Sequence, residues 1–279
     1  MFQRSDRSKP SGPAGLEVAD WMYDMNRNTV RAFVQLSERY GDVVRMPSSP
    51  DRPLSLLSML MFAEDEETGE RMSDEHVRDE VMTFIVAGRE TTSNALSWSL
   101  YLRSLYPEVR RRLGEEVDGA LGGETPGFES VSQLDYLEQV VDETLRRYPP
   151  TWAIEREPVG GDDIGDSRIP PESIVVAAPY FVHHNSDIWN NLEGFDPGRF
   201  ADDAEPPNHG YAHFPFGGRP RSCAGADFAV LEAKIILAVV AQRFRLDLVP
   251  GQIVEPEGAV ALYPKDGIEM FVRSRESAQ

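Results

Sequence analysis

Only one cysteine, Cys223, occurs in the 279 residues, so no intramolecular disulfide can form. That scarcity suits a reducing compartment. Lysine is nearly as rare: Lys9, Lys234 and Lys265 carry that charge, and the other basic residues are arginines. Basic residues are outnumbered 28 to 47 by acidic ones, which leaves a net charge of −19. A surface of that sign repels a phosphate backbone and argues against nucleic acid as a partner. Two origins stay open for the acidity. One is a well-solvated surface on a high-GC coding background; the other is a salt-rich cytoplasm, where dense carboxylates keep proteins dissolved. No apolar run, IILAVVA included, approaches the ~20 residues of a membrane-spanning helix. Residues 1–15, MFQRSDRSKPSGPAG, lack the apolar core of a secretory signal and read as a loose tail. The five histidines show no metal-ligand spacing, and neither a Rossmann glycine fingerprint nor a cysteine cluster occurs. The expectation is a soluble, cytoplasmic protein with no membrane span.

What is present is enough apolar material for a packed interior. Hydrophobic residues make up 41% of the chain, the range of globular rather than disordered proteins. LEVADWMYDMNRNTVRAFVQLSERYG has helical spacing, with Gly41 as its stop. DVVRM reads as a short strand, SSPDRP as a breaker and LSLLSMLMFA as a short helix. Ser73 reads as an N-cap, with Asp74 and Glu75 at the positive end of the helix it opens. That helix can run to Tyr106, where Pro107 stops it, and so span ~48 Å at 1.5 Å per residue. Its centre, VMTFIVAG and then NALSWSLYL, is apolar around most of its circumference, the pattern of a helix buried through the middle of a domain. PEVRRRLGEEVDGALGG reads as a surface helix, SVSQLDYLEQVVDETLRRYPP as one further helix, and ADFAVLEAKIILAVVAQRF as the last long one. Short strands, SIVVAAPY the clearest and IEMFVR near the end, alternate with Pro/Gly turns. The fold class is mainly α with small β-sheets, without internal repeats.

The lone cysteine lies in FGGRPRSCAG, just ahead of the last long helix. By itself a single cysteine is more often a small hydrophobe than a reagent. Here Gly217 and Gly218 permit a tight loop whose N–H groups can turn toward the sulfur, Arg221 adds positive charge, and the helix starting near Ala226 presents its positive end. All three favour a thiolate. AGRETT sets Glu90 and Thr91 midway along the long apolar helix. Their ordinary reading is a threonine bonded back to its own helix and a glutamate reaching solvent. ETLR places Glu143 and Arg146 one helical turn apart, so carboxylate and guanidinium can pair. On a surface such a pair contributes only a few tenths of a kcal/mol.

Together these motifs carry a resemblance. FGGRPRSCAG resembles the haem-binding loop FxxGxRxCxG of the cytochrome P-450 family: Phe216, Arg221, Cys223 and Gly225 match, while Arg219 stands where the pattern has glycine. AGRETT resembles the family's [AG]Gx[DE]T[TS], ETLR its ExxR, and FDPGRF its PxRF-type motif, preceded by a similar HHNSDIW. The four occur in the family's order across residues 54–279. The resemblance implies the cytochrome P-450 fold and a haem-thiolate monooxygenase, which inserts one oxygen atom from O2 into a small organic substrate. It implies haem b as cofactor, with Cys223 as the axial ligand of the iron. Arg221 and Arg156 would pair with haem propionates, Phe216 and Gly225 would belong to the haem loop, and Gly88 would let the long helix open over the haem. Glu90 and Thr91 would be the catalytic pair guiding protons for dioxygen activation. Glu143, Arg146 and Arg199 would form a buried structural triad, costly to break from one side. Electrons would come from a separate ferredoxin or flavoprotein. The adjacent His183 and His184 read as a loop feature.

The chain is shorter than the family. LEVADWMYDMNRNTVRAFVQLSERYGDVVRM resembles the family's N-terminal helix and first strand, and LLSMLMFAEDEETGERMSDEHVRDEV resembles the segment leading into its oxygen-binding helix. Only the residues around SSPDRP separate them. The expectation is a large internal deletion near Pro50. Residues 1–50 would be tail, first helix and first strand, and residues 54–279 the haem-binding core, one incomplete domain lacking the B–G helix region and the substrate lid. The long helix would lose most of its cover, and an exposed apolar patch invites a partner. A second reading therefore stands beside the enzyme: a non-catalytic, degenerate haem-binding or partner-docking fragment. Arginine at Arg219 would cost roughly 1 kcal/mol if the loop needs positive φ there. The substrate is not legible, because the regions that select it are the ones expected to be missing.

Overall fold

The structure, a computed structural model, describes residues 56–65, 67–205, 207, 209–218 and 220–275. The expected N-terminal helix and DVVRM strand, the SSPDRP breaker and Arg219 lie outside the described residues. The chain divides into two compact units between Phe84 and Ile85. In the first, helix α1 (Leu56–Phe62) is followed by a turn that the Asp65 carboxylate organises by accepting the amides of Glu67 and Thr68. Helix α2 (Asp74–Leu105) starts where the sequence predicts: Ser73 Oγ accepts the His76 amide at 3.2 Å, with Asp74 and Glu75 in the first turn. The unit boundary falls inside this helix.

In the second unit the burial of α2 is uneven. Val86 is 66% exposed, whereas Trp98 and Leu102 are 0% and 1% exposed. The expected burial through the middle therefore holds only for the C-terminal part. There Trp98 stacks on Tyr148 at 3.9 Å between ring centroids and donates Nε1–H to the Leu262 carbonyl.

Helix α3 (Pro107–Leu121) has proline in its first turn and ends on Gly122 in the left-handed conformation, φ 54°. Its buried residues Val109, Leu113, Val117 and Leu121 recur every four positions along one face. The next helix, predicted as one, is two: α4 (Phe128–Val131) and α5 (Asp135–Arg147). The cause of the break lies in another element. The Glu116 carboxylate of α3 accepts the amides of Tyr136 at 2.7 Å and Leu137 at 2.9 Å, satisfying orphan donors at a new N-terminus.

Four small antiparallel sheets of two strands follow. β1 (Ile154–Arg156) pairs with β4 (Val175–Ala177), and β2 (Asp162–Ile164) with β3 (Ser167–Ile169). SIVVAAPY is strand only through Ala177, because Pro179 opens helix α6 (Pro179–His183). A 3₁₀ turn spans Pro197–Phe200, and helix α7 spans Ala226–Arg243. β5 (Phe244–Leu248) pairs with β8 (Met270–Ser274), and β6 (Pro256–Gly258) with β7 (Leu262–Pro264). The core joins α2, α3, α5 and α7 through Leu102, Leu113, Val117, Leu137, Val140 and Leu237. This is the helix-rich fold with small sheets that the sequence predicts.

Candidate functional site

The last turn of α5 carries Glu143 and Arg146, both 0% exposed. Arg146 grips Glu143 with two bonds, Nε to Oε2 at 2.6 Å and Nη2 to Oε1 at 2.9 Å. Its other N–H groups donate to backbone carbonyls: Nη1 to His183 at 2.9 Å, Nη2 to Leu192 and Gly194 at 3.3 Å each. Arg199 arrives from the 3₁₀ turn, with Nε 3.4 Å from Glu143 Oε1 and Nη2 on the Asn191 carbonyl at 2.8 Å. The Asp196 amide donates to the same Oε1 at 3.1 Å. The structure thus brings Glu143, Arg146 and Arg199 together out of solvent. Two buried charges survive the loss of water only when their geometry is good and their remaining donors are satisfied, as here.

His183 is the residue that sequence reasoning undervalued. It is not a loop feature but the last residue of α6, 0% exposed. Its carbonyl holds Arg146, and its Nε2 accepts the Phe214 amide at 3.0 Å. An accepting Nε2 places the ring proton on Nδ1. Burial, then the nearby His213 and Arg146, pushes its pKa down to about 3; burial likewise takes His213 down to about 4. A neutral His183 therefore ties the buried ion pair to the cysteine loop. The sequence signal was weak: a histidine closing a short apolar helix, PYFVH.

Beyond Phe214 the loop closes on itself. The Phe214 carbonyl accepts the Gly217 amide at 3.0 Å, and the Phe216 carbonyl accepts the Cys223 amide at 2.9 Å. Gly217 takes φ 76°, which favours glycine, and a Cβ on Gly218 would stand 2.7 Å from the ring of the exposed Tyr211, which would have to turn aside. The Phe216 ring packs, partly buried, against the core. Cys223 is exposed. Helix α7 begins directly after the loop, with Gly225 at its N-cap. A Cβ on Gly225 would make ordinary van der Waals contact with Cys223 Sγ at 3.9 Å. Arg221 is exposed, and exposed Arg156 ends β1 with Nη1 on the Glu155 carbonyl at 2.7 Å.

The AGRETT turn of α2 is built differently. Gly88 and Glu90 are exposed, and Thr91 is half-buried. Thr91 Oγ1 donates to the Ala87 carbonyl at 2.9 Å, the ordinary back-bonded geometry. The helix runs unbroken through Gly88, so the expected local opening is not present. A Cβ on Gly88 would meet no atom within 4 Å.

The sequence model of the Cytochrome P-450 family matches residues 16–269. The chain belongs to the cytochrome P-450 family. It is 36% identical over 228 residues to cyclooctatin synthase of Streptomyces melanosporofaciens, covering 82% of this chain and 50% of that protein. It is 37% identical over 224 residues to taurochenodeoxycholic 6 alpha-hydroxylase of Sus scrofa, covering 80% of this chain and 44% of that one. The crystal structure of the cytochrome P450DA haem domain superposes with a TM-score of 0.77 at 29% identity, covering 94% of this chain and 57% of that one. The chain thus spans about half the length of the curated cytochrome P-450 relatives it matches. Cytochromes P-450 carry a cysteine-ligated haem, and this chain has a single cysteine. The exposed thiol of Cys223 fits such a group. Among the described residues no helix is long and apolar enough to cross a membrane, and no His/Cys/Asp/Glu cluster forms a separate metal site.

Proposed function

We propose that the chain is a haem-thiolate monooxygenase of the cytochrome P-450 family, inserting one oxygen atom from O2 into a small organic substrate. The observation that carries this reading is the exposed Cys223 thiol, on a loop tied through Phe214 and His183 to the buried Arg146. Cys223 would ligate the iron of haem b, Arg221 and Arg156 would pair with its propionates, and Phe216 would back the loop. The haem, when bound, supplies the redox chemistry of dioxygen activation. The chain's own residues do the rest. Cys223 lies just ahead of Gly225, the N-cap of α7, with the exposed Arg221 on the same loop. Glu90 and Thr91 would hold and pass protons, for which the Thr91 hydroxyl must first release the Ala87 carbonyl. A ferredoxin or flavoprotein would deliver electrons, in the cytoplasm.

We also infer that the missing length is internal, near Pro50, since the family match begins ahead of that point and runs on to residue 269. A genomic read across codon 50 that restores an in-frame B–G helix region would show the gap to belong to the transcript alone. The exposure of Ile85 and Val86, at 56% and 66%, favours a second reading, a non-catalytic haem-binding or partner-docking fragment. One experiment separates the two. The full chain is reconstituted with hemin, then supplied with NADPH, a ferredoxin and its reductase under ¹⁸O₂, with lauric acid and a terpene alcohol as probes. Singly labelled product supports the monooxygenase. Haem uptake without labelled product supports the second reading, and no haem uptake overturns the first.

A further inference from the structure

The arginines of this acidic chain are not evenly spread. A cleft of about 330 Å³ opens where α3 meets the ends of α2 and α7 and the start of β5. Arg103, Arg110, Arg111, Arg245 and Arg275 line it with the acids Glu115 and Asp118, and the carboxylates of Asp247 and Glu108 pair with lining arginines. Four of these arginines have carboxylate partners. Arg110 and Arg245 reach Asp247 at 2.8 and 3.0 Å, Arg275 reaches Asp118 at 2.6 Å, and Arg111 reaches Glu115 at 2.5 Å. Arg103 has none among the described residues. It is 3% exposed, its Nη2 makes one long bond of 3.5 Å to the Phe244 carbonyl, and its Nη1 is buried with no partner among the described residues. A buried guanidinium left unpaired is costly. Burial, with Arg110 and Arg275 adding like charge, pulls its pKa down to about 10. No residue of the cysteine loop or of the Arg146 network takes part.

We infer that this cleft is a binding site for a compact oxyanion of the phosphate class, with the buried Arg103 guanidinium in its lining and Arg110, Arg245 and Arg275 around it. A guanidinium presents five donors in a planar fork, so the surrounding arginines keep N–H groups free after bonding their carboxylates. A phosphate dianion offers oxygens to several forks at once, where one carboxylate engages a single fork. Free phosphate and the terminal phosphate of a small metabolite share this chemistry, and the volume admits either.

The test uses the full-length chain at constant ionic strength, chloride replaced stepwise by inorganic phosphate and, separately, by adenosine monophosphate. Thermal unfolding and calorimetric titration are the readouts. A saturable rise in melting temperature with phosphate is expected. Arg103→Met is expected to bind phosphate at least about tenfold more weakly, yet to melt no lower without it, because the substitution removes an unpaired buried charge. Arg245→Gln, whose side chain is 52% exposed, leaves folding untouched and weakens binding several-fold, which keeps the test decisive should Arg103→Met fail to fold. Tighter binding of the nucleotide supports the site as one for a phosphorylated metabolite; equal or weaker binding supports it as one for the free ion. No saturable effect beyond chloride overturns the proposal, as does phosphate binding unchanged in both variants.

Discussion

The turn around Arg146 and the turn around Thr91 belong to the same unit, and each carries a polar motif on a helix. They are built in opposite ways. Arg146 spends its donors on Glu143 and on the carbonyls of His183, Leu192 and Gly194, and it is wholly buried. Thr91 makes one bond, to its own helix, next to an exposed Glu90 and an exposed Gly88. The first motif finds its partners within residues 183–199, so folding completes it. The second has no such partners among the described residues and keeps the geometry of an ordinary solvated helix. A motif is a structural fact when the chain supplies its partners, and only an address when a ligand must.

Breaking the first turn has the largest expected effect. Arg146→Ala strands a buried Glu143 and should lower unfolding stability by about 3–5 kcal/mol, read as a shifted urea midpoint; soluble protein of unchanged midpoint contradicts the buried pair. Next comes His183→Leu, which leaves the Phe214 amide without an acceptor and should cost about 1–3 kcal/mol, while His183→Gln, able to accept that bond, should recover much of it.

The same histidine carries a pH signature. His183 and His213 stay neutral in the folded chain down to about pH 3 and about pH 4, against 6.5 for an ordinary histidine. Between those values the unfolded chain binds more protons, so this contribution is complete above about pH 6.5 and falls on acidification. Asp142 opposes it. Burial, then Glu138, raises its pKa from 3.8 to about 7, so its contribution is present below pH 3.8 and lost as pH rises through about 7. With two histidines against one aspartate, stability should fall as pH drops from 6.5 toward 4, and His183→Gln should flatten that slope in urea titrations. The smallest effect belongs to the second turn. Thr91→Val and Glu90→Gln should each change stability by no more than about 0.5 kcal/mol; a larger loss by thermal melt would mean that this turn is structural after all.

Much of this was legible in the sequence. Ser73, Pro107 and Gly122 mark helix ends through local chemistry, and the structure has those ends. The ETLR and FDPGRF spacings point to the grouping of Glu143, Arg146 and Arg199. The break between α4 and α5 was not legible, because its cause is Glu116, about a helix-and-a-half away in sequence but adjacent in space. His183 was missed for the same reason: its acceptor role depends on Phe214, 31 residues on. The Thr91 back-bond was readable as the plain alternative, and it is what the helix adopts.

We propose that the Arg146–His183–Phe214 linkage presents Cys223 to haem in a chain that spans about half the length of its relatives. The carbon-monoxide difference spectrum of the reduced, hemin-reconstituted chain tests it most directly, run beside Cys223→Ala. The account predicts a Soret band at the thiolate-ligated position in the native sequence and its loss in Cys223→Ala. No such band in the native chain, or the same band in both proteins, would contradict it.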